Sequence, residues 1–237
     1  MSILAELGSP VDGSDIRLPA RRVVDQASVN ACFSCALATC LEAQDTGVPP
    51  LASLFHFYYA AKLWPGASDN GIANETIAYG AFRDHGICAG DLYSFPFAKE
   101  TLDRQPSESA IADARGRIPP FDEQGASPWR PLYSGQLSSV RWRKALQRGQ
   151  PVLLILYTNE SYWNMKNGQT DAWAATDKDF SSRLHAAAIL GTNEKRKAFI
   201  VQDSRGPSFG AGGQWFLRFD LAGGSAIDAS FTLEYPE

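Results

Sequence analysis

The stretch that most constrains this chain runs from Gln26 to Ala36 and has the sequence QASVNACFSCA. It begins with polar, turn-forming residues and continues into small and apolar residues that favour a helix. Asn30 or Ser28 is expected to cap this helix, because either side chain can accept a hydrogen bond from a free N–H of the first turn. Cys32 then falls in the first turn, where the helix dipole favours a negative thiolate. The position therefore suits a nucleophilic cysteine.

The remaining cysteines are expected to be thiols as well. Cys35 and Cys40 share the predicted helix with Cys32, and Cys88 is distant from them. Cys32 and Cys35 could not form a disulfide without distorting the helix, which indicates a reducing compartment. A zinc site would need a second cysteine pair and a turn between the ligands, so we expect neither a metal nor another cofactor. The three helix cysteines could also be small core residues, which leaves a structural alternative open.

Composition excludes several classes of function. The chain has 237 residues, a formal net charge of −4 and no basic run, so nucleic acid is not an expected partner. It contains no apolar run of the roughly 18–20 residues that span a bilayer, so no membrane contact is expected. The N-terminus does not resemble a standard signal peptide, and we expect the protein to be cytoplasmic as made. The length suits one large domain or two lobes that share a cleft.

Hydrophobic periodicity divides the chain into two unlike halves. Helical spacing dominates the first half, and short apolar runs bounded by turn residues dominate the second. Helices followed by strands predict an α+β fold. The predicted helices cover residues 32–43, 51–63, 71–85, 109–115 and 139–148, and the predicted strands cover 151–157, 184–191, 199–202, 215–219 and 231–235.

Among the three histidines, His185 is the candidate for catalysis. It begins a strand of small apolar residues. A hairpin that spans the residues between His185 and Asp203 would return Asp203 to its side. His56 lies among aromatic residues and is interpreted as a packed or surface residue. His85 falls in the last turn of a predicted helix, where a cation interacts favourably with the dipole. His185 and Asp203 are therefore expected to form one site with Cys32.

The order of these motifs resembles the papain-like cysteine peptidases, in particular their bacterial branch. Gln26 precedes Cys32 by six residues, His185 follows about 150 residues later, and Asp203-Ser204 with Gly206 comes last. Cys35 is the competing nucleophile, but its spacing from Gln26 does not match. The resemblance covers about residues 15–220. It implies a single catalytic domain over 1–237, with a helical lobe at about 20–125, an antiparallel β-barrel-like lobe at about 126–237, and the active site in the cleft between them.

The resemblance also implies the roles of individual residues. Cys32 would be the nucleophile, His185 its proton partner and Asp203 the residue that orients the imidazole. Gln26, together with the backbone N–H of Cys32, would form the oxyanion hole. Gly71 would pair with the substrate backbone, and Leu184 would border the cleft.

Two departures from the family pattern matter for the chemistry. Asp203 stands where the family usually has Asn, and Arg205 stands where it has Trp. An Asp–Arg pair could hold Asp203 away from His185. If the family analogy holds, an amide at position 203 is expected to preserve much of the activity.

These residues predict a cysteine endopeptidase that acts on a protein or peptide through an acyl-enzyme. A catalytically inactive peptide-binding module and an acyl transferase or amidase with the same site are the alternatives. Only about fourteen residues precede the first predicted extended segment, residues 15–19, which is too few for an internal inhibitor that fills the cleft. This suggests a bacterial toxin-like effector exported without a cleaved signal and restrained by a cognate inhibitor or immunity protein.

Overall fold

The computed structural model describes residues 15–62, 72, 75–118, 129–132, 138–171 and 183–233. Gly71 lies outside this part of the chain, as do the ends of several predicted elements. The helices are α1 (Cys32–Gln44), α2 (Ser53–Lys62), α3 (Glu75–His85), α4 (Glu108–Arg115), α5 (Ser138–Gln147) and the single turn α6 (Glu160–Trp163), with 3₁₀ turns at Lys99–Thr101 and Phe219–Leu221. The strands are β1 (Trp129–Pro131), β2 (Val152–Tyr157), β3 (Leu184–Asn193), β4 (Ala198–Gln202), β5 (Gln214–Arg218) and β6 (Ile227–Leu233).

The six strands form one antiparallel sheet in the order β1-β6-β2-β3-β4-β5. β2 and β3 pair so that His185 lies opposite Leu156 near one end of the ladder. The tight turn after Asn193 returns the chain along β4, whose last residue, Gln202, pairs with Ala188. Asp203 follows directly, so the β3–β4 hairpin brings it near the start of β3. The predicted α+β class is confirmed.

Helix α1 connects the helices to the sheet because it packs directly on β2 and β3. Alternate strand residues such as Leu153 and Ala186 face α1, while their neighbours Leu154 and Ala187 belong to a second core on the opposite face with Trp142. Both faces of the central strands are therefore buried, which explains their unbroken apolar sequence. The alanines of β3 let α1 approach closely and place its first turn at the end of the strand.

Helices α3 and α4 end at the predicted residues, His85 and Arg115. Gly86 follows α3 with a φ of 69°, and its N–H donates to the carbonyl of Phe82. A Cβ at Gly86 would lie 2.1 Å from the carbonyl oxygen of Ala114, so this glycine allows α3 and α4 to approach each other.

No helix in the described ranges is long and apolar enough to cross a membrane. The predicted lobe boundaries stay predictions.

Candidate active site

The first turn of α1 begins at Cys32, as predicted, but the expected side-chain cap is wrong. Ala31 is the N-cap and makes no side-chain hydrogen bond. The N–H of Ala31 donates to the carbonyl of Val29, so a tight backbone turn, rather than Asn30 or Ser28, leads into the helix. Asn30 and Ser28 are both exposed. Because no side chain caps the helix start, its N–H groups keep their positive potential next to the thiol of Cys32.

The thiol of Cys32 is partly exposed and forms a hydrogen bond with His185. Burial would raise the pKa of this thiol, but the hydrogen bond and positive charge of His185, with the backbone N–H of Ala186, outweigh burial and lower it. Burial also opposes the cationic form of His185, yet Asp203 and Cys32 raise its pKa to about 10. The two shifts favour a thiolate–imidazolium pair near neutral pH.

Asp203 is buried and contacts the far side of the imidazole. Its Oδ1 accepts a hydrogen bond from Nε2 of His185 at 3.0 Å and one from the backbone N–H of Ser204 at 2.8 Å. Its Oδ2 accepts hydrogen bonds from the hydroxyl of Tyr162 and Nε1 of Trp215, both at 2.9 Å. Burial would raise the pKa of Asp203, but the charge of His185 and these donors lower it. The carboxylate is therefore fixed and charged.

Tyr162 and Trp215 are the residues that the sequence analysis missed. Tyr162 belongs to α6, where Asn159 caps the helix by accepting a hydrogen bond from the N–H of Tyr162 at 2.8 Å. Trp215 lies in β5 and is fully buried. Asn159 followed by the acidic Glu160 was a visible sign of a helix start, because Asn is a common N-cap and an acidic residue suits the first turn. However, nothing in the sequence connects either aromatic residue to Asp203, which is 41 residues from one and 12 from the other.

Gln26 is held beside the same site by Ser204. Its Oε1 accepts a hydrogen bond from the hydroxyl of Ser204, and its backbone N–H donates to the carbonyl of Ser204 at 2.8 Å. One N–H of its side-chain amide donates to the carbonyl of Val29 at 2.9 Å. A third hydrogen bond between the two segments runs from the N–H of Gly206 to the carbonyl of Val24 at 3.0 Å. The segment before α1 is thus fixed to the segment after β4, and this arrangement brings Gln26 to the start of α1.

Arg205 does not pull Asp203 away from His185. Its guanidinium lies over the rings of Tyr162, Trp163 and Phe209. The 3.0 Å contact between His185 and Asp203 is intact. The concern raised by the sequence was therefore wrong, because the aromatic rings attract the cation and Asp203 already has four donors.

The other predicted residues have simpler outcomes. Leu184 begins β3 beside His185 and is 45% exposed, as a residue at a cleft border can be. His56 is fully buried between the hydroxyl of Ser34 and the carbonyl of Ala78, at 2.7 and 2.9 Å. His85 stacks on Tyr59 with ring centroids 4.0 Å apart, and burial lowers its pKa, which disfavours the expected cation.

The cysteines other than Cys32 lie away from this chemistry. All four are free thiols, as predicted. Cys35, Cys40 and Cys88 are buried, and burial raises the pKa of each, to about 12 for Cys88. Within the described ranges, no three His, Cys, Asp or Glu side chains are grouped to hold a metal ion. The described site therefore has one thiol suited to nucleophilic attack.

Similar folds occur among solved cysteine proteases. Xylellain, a cysteine protease from Xylella fastidiosa, matches with a TM-score of 0.76 and 17% identity, over 97% of this chain and 91% of that one. Bromelain from Ananas comosus, in complex with the E64 inhibitor, matches with a TM-score of 0.67 and 16% identity, over 94% and 99%. Digestive procathepsin L 3 from the larval midgut of Tenebrio molitor matches with a TM-score of 0.67 and 15% identity, over 95% and 71%.

These matches define the fold class. No protein-family model matches the sequence, and a search of curated proteins finds no relative. The chain nevertheless has the papain-like fold, which the sequence motifs predicted. The similarity lies in the three-dimensional arrangement, since identity with each of these structures is at most 17%.

Proposed function

We propose that this protein is a cysteine endopeptidase with a Cys32–His185–Asp203 triad. The observation that supports it is a continuous line of contacts from a partly exposed thiol through His185 to a buried carboxylate. The thiol lies at an uncapped helix start, its pKa is lowered and that of His185 is raised. A packing cysteine has no need of these features, whereas a nucleophile at neutral pH requires them.

In the proposed reaction, the thiolate of Cys32 attacks the carbonyl carbon of the scissile peptide bond. The oxyanion accepts hydrogen bonds from the backbone N–H of Cys32 and the side-chain amide of Gln26. Loss of one such donor typically lowers the rate about 100- to 1,000-fold. The imidazolium of His185 gives its proton to the leaving amine, and an acyl-enzyme remains. Neutral His185 then removes a proton from water, which attacks the thioester. The C–S bond breaks, the acyl fragment leaves as a carboxylic acid, and the thiolate of Cys32 and the imidazolium of His185 are restored.

Two further residues would support this chemistry without touching the substrate. Asp203 keeps the imidazole oriented and charged during the first step, since its Oδ1 accepts from Nε2 of the ring. Ser204 holds the carbonyl end of the Gln26 amide, which leaves an N–H of that amide for the oxyanion. The fold neighbours support peptide hydrolysis because they include the cysteine proteases xylellain and bromelain.

An epoxide inhibitor provides the first test, because E64 is bound in the bromelain structure. Wild-type protein should gain the mass of one E64 molecule and lose peptidase activity. Cys32→Ala should neither react nor hydrolyse peptides, while its circular dichroism stays native. Cys35→Ala is the matched control and should still react, because Cys35 is buried and its thiol pKa is raised. Labelling of the folded Cys32→Ala protein, or its hydrolysis of peptides, would contradict the assignment.

Products identify the reaction class. Mass spectrometry should find both new termini of a hydrolysed peptide. A product in which the acyl group is joined to an added amine would indicate an acyl transferase, whereas release of ammonia or another small amine without cleavage of a peptide chain would indicate an amidase. A protein that binds peptides and leaves them unchanged would be a binding module.

A cognate inhibitor and a toxin-like role are part of the same proposal. The thiol of Cys32 is partly exposed, so a partner protein that covers it would block substrate access. Expression of the wild type should slow the growth of a bacterial host, while expression of Cys32→Ala should not. Equal growth by both strains, with peptide hydrolysis by purified wild type, would instead indicate a peptidase of narrow specificity without such a role.

A further inference from the structure

Arg205 packs against aromatic rings beside the candidate site. The carbon atom of its guanidinium lies 4.5 Å from the ring centroid of Phe209, 4.7 Å from that of Trp163 and 5.6 Å from that of Tyr162. The residue is partly exposed, yet its Nη1 is buried and donates no hydrogen bond. In the part of the chain that the structure describes, no carboxylate forms an ion pair with it. Arg205 is thus a cation packed on aromatic rings, and because Nη1 is buried a ligand could reach only Nε and Nη2 of its guanidinium.

Arg205 lies on the side of the site where His185 is located. Trp163 and Tyr162, over which it lies, also contact the imidazole of His185, with ring centroids 6.2 and 5.4 Å apart. Its backbone forms a bridge with Asp25, the residue before Gln26. The guanidinium therefore shares its aromatic support with the proton donor of the first step. The substrate residues that leave with the amine must pass over this side of the site, because His185 protonates that amine.

We propose that Arg205 binds a carboxylate on the leaving-group side of the scissile bond, a proposal that rests on the peptidase function proposed above. A guanidinium is planar, weakly hydrated and able to donate two parallel hydrogen bonds to a carboxylate. The three rings fix its orientation before the substrate arrives, so little side-chain freedom is lost on binding. The carboxylate is either an acidic side chain just after the scissile bond or the free C-terminus of a short leaving peptide.

Binding to Cys32→Ala protein tests the proposal without turnover. Two pairs of leaving-fragment peptides are titrated by calorimetry: Glu against Gln at the first residue, both with amidated C-termini, and one neutral sequence with a free or an amidated C-terminus. The carboxylate member of one pair should bind at least about tenfold more tightly, and that pair identifies the source of the carboxylate. Arg205→Gln in the same background should remove the difference, and Arg205→Lys should retain part of it because only the charge remains.

Arg196→Gln is the matched control, since Arg196 also lies over an aromatic ring, 4.7 Å from the centroid of Phe216. It should leave the carboxylate preference unchanged. Thermal unfolding of each variant checks the fold. If Arg205→Gln is unfolded, Arg205→Lys decides, and its carboxylate preference must fall below that of the parent. Equal binding within both pairs, absence of binding, or a preference that survives in the folded Arg205 variant would overturn the proposal.

Turnover by the wild type separates this proposal from the function on which it rests. A quenched substrate with the preferred carboxylate should have a kcat/KM at least about tenfold above that of its neutral twin. Carboxylate-dependent binding without any hydrolysis would refute the peptidase and keep the Arg205 site. Hydrolysis with equal binding and equal kcat/KM within both pairs would keep the peptidase and overturn the role of Arg205.

Discussion

Replacement of Asp203 by Asn tests whether this site needs a carboxylate or only an oxygen acceptor. All four hydrogen-bond partners of Asp203 are donors: Nε2 of His185, the N–H of Ser204, the hydroxyl of Tyr162 and Nε1 of Trp215. An Asn side chain has one oxygen and one NH₂ group, so in either orientation its NH₂ group faces donors. The structure therefore changes the expectation drawn from the family, in which an amide at this position would be well tolerated.

The more favourable orientation of Asn keeps its oxygen toward His185 and Ser204. The NH₂ group then faces Trp215, whose indole N–H can only donate, and Tyr162, whose hydroxyl can turn and accept. One buried donor is left unpaired, which destabilises the protein by about 1–3 kcal/mol. Loss of the negative charge also removes the larger of the two influences that raise the pKa of His185 to about 10, the other being Cys32. The imidazolium is present below that pKa and lost above it, so the alkaline limb of kcat/KM should move to lower pH by about 1 unit or more.

A double-mutant cycle measures the unpaired donor directly. Urea unfolding is followed for the wild type, Asp203→Asn, Trp215→Phe and the double variant. Trp215→Phe removes the indole N–H, so it should destabilise the Asp203→Asn variant less than the wild type, with a coupling free energy of about 1–3 kcal/mol. Tyr162→Phe is the control and should give a smaller coupling, because the Tyr hydroxyl can turn. Full additivity with Trp215→Phe, or an Asp203→Asn variant with unchanged stability and pH profile, would refute this reasoning.

Three further predictions concern single residues. Cys35→Ala should retain most of the peptidase activity that Cys32 provides, because burial raises the thiol pKa of Cys35; loss of activity in the folded variant would contradict this. Burial lowers the pKa of His56 to about 4, so the free energy of unfolding should fall by about 3 kcal/mol as pH drops from 6.5 to 4, since the unfolded state binds the proton first. His56→Gln should flatten this pH dependence in urea titrations across that range. An unchanged slope would show that another group causes the pH dependence. Gly86→Ala should lower the free energy of unfolding by roughly 1 kcal/mol or more, because Gly86 has a positive φ and an added Cβ would lie 2.1 Å from the carbonyl oxygen of Ala114. A melting temperature equal to that of the wild type would show that the backbone relaxes.

Local sequence was sufficient for most of the elements and for the position of the nucleophile, although it did not predict β1 or α6. Helical spacing and the turn residues before Cys32 predicted the start of α1, and apolar runs predicted β2 and β3 within a few residues. These features depend on neighbours in the chain, which the sequence displays. The N-cap prediction failed although it was local, because a backbone turn at Val29 and Ala31 took the place of the Asn30 side chain.

The tertiary structure decided what surrounds each predicted residue. The hairpin spacing predicted that Asp203 would return to His185, but only packing placed Tyr162 and Trp215 on its other oxygen. The direction of Arg205 was likewise a competition between a carboxylate and aromatic rings, two of which, Tyr162 and Trp163, come from a distant segment. A buried charge must collect its donors from whichever segments the fold brings near it. Sequence therefore determined which groups could react, and the fold determined their partners and protonation.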